Sequence, residues 1–304
     1  MTDTPRAPSA GAIAFALASL YVLWGSTYLA IRFGLEGFPP FLMGAIRMSV
    51  AGALMYVVLR ARGTPAPTRR QWRTLWILAV FMVLLSNGLV TLAETEVESG
   101  LAAIGVASMP LFAGVFAMLR GRHPSRVEWI GLIVGFCGVL WLNAGGELRA
   151  STLGLVCLLI APVAWAWGSI WSRDQDLPEP FMSAAGQMLC GSAWMLGAAL
   201  VRGETITEMP GTGAILAVLW LIVAGSIFGF TAYVWLLHHV RPALATSYAY
   251  VNPPIAVLFG VWLAGETIGA TDLGAMAVIL VGVVIITLSN ARRAPSPAQD
   301  TRAG

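Results

Sequence analysis

Trp24-Gly25-Ser26, set inside a long apolar run, returns as Trp167-Gly168-Ser169, and Pro110 returns as Pro253 at the same offset of 143 positions. Val97 with Val240, Leu101 with Leu244, Phe116 with Phe259 and Gly131 with Gly274 keep that offset, so the register holds along both halves. An apolar alphabet yields chance identities freely. Trp, Gly, Ser and Pro falling together at one offset instead mark a tandem duplication. The two repeats run over 13–143 and 153–288, and 289–304 remains as a Ser/Pro/Ala-rich tail that reads as cytoplasmic and disordered.

Each repeat holds five apolar stretches, near Ile13–Ile31, Pro40–Leu59, Leu75–Ala93, Leu101–Leu119 and Trp129–Asn143, then Leu153–Trp171, Phe181–Val201, Ile215–Leu237, Leu244–Ala264 and Leu273–Leu288. With 58% hydrophobic and 11% charged residues, the chain carries more apolar surface than an aqueous fold can hide. Most stretches reach the roughly 17 to 25 residues that cross about 30 Å of hydrocarbon, and the fifth and tenth sit at or below that limit. Only helices satisfy their own backbone groups over such a crossing. The expectation is an all-α integral membrane protein of ten transmembrane helices. Five is odd, so the second repeat must cross the bilayer inverted relative to the first.

All 18 basic residues are Arg. From an inside N-terminus, alternating loops put Arg6, Arg60, Arg62, Arg69, Arg70, Arg73, Arg120, Arg122, Arg126, Arg173, Arg241, Arg292, Arg293 and Arg302 on one side. Only Arg32, Arg149 and Arg202 fall on the other. The positive-inside rule therefore predicts both termini in the cytoplasm of a multi-pass membrane protein. The net charge of +3 reflects this asymmetry, with no basic patch suited to nucleic acid.

Several chemistries lack their parts. Cys137, Cys157 and Cys190 fall inside apolar stretches without paired spacing, and His123, His238 and His239 have no Cys at ligand distance, so neither a disulfide nor a metal site is expected. No Gly-x4-Gly-Lys-Ser/Thr loop is present for a nucleotide, and no cofactor is expected. The start leads straight into the first stretch without an Ala-x-Ala cleavage pattern, which reads as an uncleaved helix. A membrane-embedded enzyme would need an intramembrane Asp, a His-Glu-x-x-His pair or a His beside a Ser, and the sequence supplies none of these. Connecting loops are too short for a separate soluble domain. Function must therefore lie between the helices, and inverted repeats usually place a solute site near the midplane where the halves meet.

Trp24-Gly25-Ser26-Thr27-Tyr28, Arg47 in the helix opened by Pro40-Phe41, Pro110, the stretch Ser247-Tyr248-Ala249-Tyr250-Val251-Asn252-Pro253 and Gly265-Glu266 together resemble the drug/metabolite transporter superfamily with two EamA-type domains. Within it, the chain is similar to the YedA-like inner-membrane proteins. The likeness covers about Ile13 to Leu288, and one departure is Arg122-His123, where many members carry an acidic residue. The resemblance implies movement of small metabolites by alternating access, commonly export of amino acids or related compounds. An uncoupled facilitator, or another solute class such as nucleosides, sugars or cationic drugs, fits the residues as well. The lipid bilayer and a small-molecule substrate are the expected partners, and monomer and homodimer stay open.

Candidate residues follow from cost. Proline lacks an amide hydrogen, so Pro110, Pro253 and Pro254 should bend two symmetry-related helices near mid-span and free carbonyls there. Tyr248 and Asn252 lie one turn apart, placed to hydrogen-bond a solute, with Tyr250 packing on its apolar part; interhelical bonding is the other reading. Trp24 and Tyr28 lie one turn apart, as do Trp167 and Trp171; Trp24 and Trp167 sit well inside their stretches, so stacking on an aromatic or cationic solute is expected of them beside the usual reading of aromatics as helix anchors. Ser226, Phe230 and Tyr233 form a stripe expected to face the core. Asn87, Thr91 and Glu94 share a face leading to Glu96 and Glu98, so Glu94 is the candidate for proton coupling unless these carboxylates are a solvated rim. Arg47, the one clear intramembrane charge, should face the bundle and either pair with Glu94 or bind a solute carboxylate. Glu266 is expected to pin a turn. Gly131-x-x-x-Gly135 and Gly274 to Gly282 are expected to let backbones meet.

Overall fold

A computed structural model describes residues 8–97, 102, 105–142, 151–264 and 269–291, and helices joined by short turns dominate them. Helix α1 (Ala10–Gly25) and α2 (Thr27–Leu35) form one rod interrupted at Ser26, and α3 (Pro40–Ala61) follows. The next rod starts as α4 (Arg69–Ala79), widens into a π-helical stretch (Val80–Gly88) and ends as α5 (Leu89–Ala93). Helices α6 (Met109–Leu119) and α7 (Arg126–Leu142) complete the first half. The second half runs α8 (Thr152–Ser172), α9 (Pro180–Arg202), α10 (Thr212–Trp220), a second π stretch (Leu221–Phe230), α11 (Thr231–His239), α12 (Pro242–Ala245), α13 (Tyr248–Ala264) and α14 (Ala270–Ala291). Among the described residues, six rods are long and apolar enough to cross a membrane, and Gly105–Leu119 and Leu273–Ser289 are shorter apolar helices. The two π stretches fall at matching places in the repeats, since the 143-residue offset carries 80–88 onto 223–231.

Local chemistry sets the helix ends. The Thr68 hydroxyl accepts the Gln71 amide at 3.3 Å and the Gln71 side chain accepts the Thr68 amide at 3.0 Å, a reciprocal cap that starts α4 six residues before the apolar stretch begins at Leu75. Ser9 and Ser151 cap α1 and α8 through their hydroxyls, and Pro40 and Pro180 open α3 and α9, where a missing amide costs nothing.

The outside of the bundle is oily and the inside carries polar groups. Val57, Leu119, Leu159 and Leu200 are 64–71% exposed, whereas Ser169, Ser183, Gln187, Ser226 and Asn252 are buried. Such a surface is costly in water and costs nothing against lipid chains.

Packing is closest between α7 and α14, and between α3 and α9. A methyl at Gly282 would sit 2.5 Å from the Gly135 amide nitrogen and 2.7 Å from its Cα, so two backbones touch where the Gly pattern requires it. Gly282→Val is accordingly expected to lower stability by about 2 kcal/mol or more, read as a fall in the melting midpoint. Gly197→Val, at a position with no heavy atom within 4 Å, should leave the midpoint unchanged.

The expected proline bends lie elsewhere. The chain turns at Ser108, so Pro110 occupies the first turn of α6 and breaks no internal ladder. Pro253 and Pro254 do lie inside α13, but the interruption precedes them, at Thr246-Ser247 between α12 and α13. There the Thr246 and Ser247 hydroxyls donate to the carbonyls of Pro242 (2.8 Å) and Leu244 (2.7 Å). At the Ser26 break, Ser26 and Thr27 likewise donate to Leu23 and Trp24 carbonyls at 2.7 Å each. Hydroxyls supply what water would supply at a broken helix outside a membrane. Glu98, Gly265-Glu266 and the tail from 292 onward lie outside the described residues.

Candidate functional site

The interrupted rod α1–α2, α3, the first π stretch, α8 and α13 surround a central cavity that gives the centre of a water-sized sphere about 80 Å³. That is several waters' worth of space, enough for the polar end of a small solute. Trp24 lies about 21 Å along the rod from Ala10, near the middle of its 26 residues.

Arg47 is the cavity's cation. Its guanidinium Nε donates to the Ser226 hydroxyl at 2.7 Å, it is 7% exposed, and among the described residues no carboxylate comes within ion-pair distance of it. Arg47 and Glu94 therefore form no direct ion pair in this conformation, although the two charges are near enough to interact at longer range. Glu94 lies beyond the cavity lining, just past the end of α5, with its Oε1 buried and without a hydrogen-bond partner among the described residues. Glycine makes the guanidinium's berth: a methyl at Gly225 would stand 2.7 Å from Arg47 Nη2. The Trp24 indole fits the same groove, donating from Nε1 to the Gly225 carbonyl at 2.8 Å, where a methyl on Gly229 would stand 2.3 Å from Nε1. The second π stretch thus holds both the cation and the aromatic wall, a use of widened helix that recurs at functional sites.

Opposite stands Asn252, 2% exposed, its Oδ1 without a hydrogen-bond partner among the described residues and its side chain beside the Tyr28 hydroxyl. Ser86 and Asn87 face the cavity from the first π stretch, and the Asn87 amide also donates to the Met82 carbonyl at 3.0 Å. Aromatic rings form the remaining wall: Trp24 meets Trp165 and Tyr248 edge-on, with centroids 5.5 and 4.5 Å apart, and Tyr233 lies 5.0 to 5.5 Å from all three. The first rod contributes Trp24, Thr27, Tyr28 and Ile31 to the cavity, so it extends from this cluster toward Leu35. On the other side Tyr233 packs under the cluster, and the Tyr21 and Ser247 hydroxyls bond at 2.6 Å.

The structure thus brings together Trp24, Tyr28, Arg47, Asn87, Tyr248 and Asn252. It does not bring in Trp167 or Tyr250. Trp167 stacks edge-on with Phe116 at 5.3 Å beneath the Arg120 guanidinium at 5.1 Å. The Tyr250 hydroxyl donates to the Leu132 carbonyl at 2.9 Å, and its ring lies against Gly135, so it ties α13 to α7. Residues missed from the sequence include Trp165 and Pro162 on α8 and Ser226 as the partner of Arg47. Two positions on a helix differ by about 200° in facing, so the repeat partner of Trp24 points away and Trp165 takes its place. Pro162, a proline inside an apolar stretch, was a legible signal, as was Gly225-x-x-x-Gly229.

The EamA-like transporter family matches residues 10–144 and 152–288. The uncharacterized inner membrane transporter YedA of Escherichia coli (strain K12) is 40% identical over 274 residues, 90% of each chain. A probable terminal-alkyne amino-acid exporter of Streptantibioticus cattleyicolor is 26% identical over 302 residues, 94% of this chain and 97% of that one. One solved crystal structure superposes with a TM-score of 0.78 at 22% identity, over 93% of this chain and 99% of that one, a likeness of fold.

Proposed function

The chain belongs to the EamA-like transporter family, and we propose that it is a secondary transporter of the bacterial inner membrane that exports amino acids or closely related compounds by alternating access. In this reading, ten helices form two inverted five-helix repeats, and the central cavity is the solute site. The observation that carries it is a pair of groups facing one small cavity, which among the described residues are an Arg47 guanidinium with no carboxylate in direct contact and an Asn252 Oδ1 acceptor with no hydrogen-bond partner. Arg47 suits a carboxylate, Asn252 Oδ1 accepts from an ammonium or amide, and the Trp24, Trp165 and Tyr248 rings receive the apolar side chain. The amino-acid exporter among the relatives supports the same solute class.

The aromatic cluster closes the cavity toward the end where most Arg residues lie. With those Arg facing the cytoplasm, the conformation is closed inward, and export would proceed by rocking the halves past this cluster. No nucleotide site is part of the proposal. Proton coupling would use Glu94, whose buried Oε1 has no hydrogen-bond partner among the described residues.

The test is binding by the purified protein, read as thermal stabilisation by a panel of amino acids, nucleosides, sugars and polyamines. An Asn252→Ala, Tyr248→Phe double variant is expected to weaken the response to amino acids at least about tenfold. Stabilisation by a different class alone would overturn the solute assignment, and normal transport by the double variant would remove these two residues from the site.

A further inference from the structure

At the Arg-rich end, apart from the central cavity, a second cavity gives the centre of a water-sized sphere about 240 Å³. Arg122, Arg173 and Arg241 line it, over an apolar floor that includes Gly114, Ala117 and Ala243. Its one carboxylate is already engaged. Glu128, 1% exposed, accepts from Arg241 Nε at 2.9 Å and from the Ser125 amide at 2.6 Å. Asp174 is shared between Arg120, at 3.3 Å, and Arg122 Nη2. Arg173 donates from Nη1 to the carbonyls of Leu237 and, at 2.8 Å, Val240. Among the described residues, four guanidiniums thus meet two carboxylates, and Arg122 Nη1 is buried with no hydrogen-bond partner.

Crowded cations in a space this size call for an anion. Burial first, and then the neighbouring charges of Arg122 and Arg241, lower the pKa of Arg173 to about 10 against the opposing pull of Tyr233 and Asp174. Guanidinium forks match tetrahedral oxyanions in geometry as well as charge. A basic pocket between helix ends on the cytoplasmic side also meets the leaflet whose phospholipids are anionic.

We propose that this cavity binds a phosphate group, through Arg122 with Arg173 and Arg241 completing its cationic wall. The phosphate comes either as a free ion or as the head group of an anionic phospholipid. This site is separate from the solute site and stands or falls independently of it.

The test is the melting midpoint of the full-length protein in neutral detergent, with sodium phosphate against sodium chloride at equal ionic strength. A parallel arm compares phosphatidylglycerol with phosphatidylcholine nanodiscs. A rise of about 3 °C is expected once phosphate exceeds its dissociation constant roughly tenfold. Arg122→Gln should lose the rise, and so should Pro124→Glu, which places a carboxylate at the rim without touching a helix. Arg60→Gln, on an exposed arginine that bonds the Thr64 carbonyl, should keep it. A rise with free phosphate identifies the free ion as sufficient, and a rise confined to phosphatidylglycerol identifies the lipid head group. No rise in either arm overturns the proposal, as does a rise of equal size in both rim and Arg122 variants. Should Arg122→Gln fail to fold, Pro124→Glu decides alone.

Discussion

Arg47→Leu is expected to abolish solute transport while leaving the folded protein as stable as before, or more so. A guanidinium at 7% exposure that has, among the described residues, one hydrogen bond and no carboxylate in direct contact has given up its water for little return. Replacing it with a leucine of lesser volume and no charge removes that cost and ends one hydrogen bond with Ser226. A bound carboxylate would then lose the one cation among the described residues lining the cavity, and leaving it buried and unpaired costs about 3 to 5 kcal/mol, a loss of roughly 10² to 10⁴ in affinity. Transport in proteoliposomes and the melting midpoint, measured on the same preparation, check both halves. A midpoint that falls by several degrees while solute affinity persists would make Arg47 a structural residue and sink its role in the site. Arg47→Lys should recover only part of the activity, because an ammonium cannot bond Ser226 and a carboxylate through one planar fork.

Trp24→Ala should produce the largest loss of stability among single changes in the core, about 3 to 5 kcal/mol. Its ring touches three other aromatic rings and its nitrogen satisfies the Gly225 carbonyl. Truncation would open a void at the point where three interrupted or widened helices meet, and would leave that carbonyl unpaired. Trp167→Ala offers the contrast. Its ring is only partly buried, packed on Phe116 and under Arg120, so less than half that loss is expected. Melting midpoints of the two variants, measured side by side, decide the point, and equal losses would show that the repeat partners remain interchangeable. Trp24→Phe separates ring from hydrogen bond, with an expected cost of about 1 to 2 kcal/mol.

Much of this molecule is legible in its residues because hydrocarbon imposes few solutions. Length of apolar run, Arg placement and composition point to a helical membrane protein, and the Trp-Gly-Ser recurrence to a duplication. Gly131, Gly135 and Gly282 could be read as packing residues because nothing larger fits between touching backbones. Trp24, Tyr28, Arg47, Asn87, Tyr248 and Asn252 could be chosen on cost, since each is a polar or oversized group in mid-span.

Facing was harder to read than position. Trp167 keeps the register of Trp24 but faces Phe116 and Arg120, because equal spacing in sequence does not fix which neighbours a helix packs against. Tyr250, two positions from Tyr248 and therefore on the far side of α13, takes the interhelical role through the Leu132 carbonyl. The prolines advertised bends, yet the chain breaks at Ser26, Ser108 and Thr246-Ser247, where hydroxyls or a turn can take up the freed carbonyls. Residue types and their spacing were enough to establish a membrane-spanning helical bundle, since the cost of leaving a backbone group or a charge in lipid depends on that group alone. Which polar groups share a cavity, which side chain the Arg47 guanidinium bonds and which tryptophan closes the wall depend on helices distant in sequence coming within a few ångströms, and those distances exist only in the folded bundle.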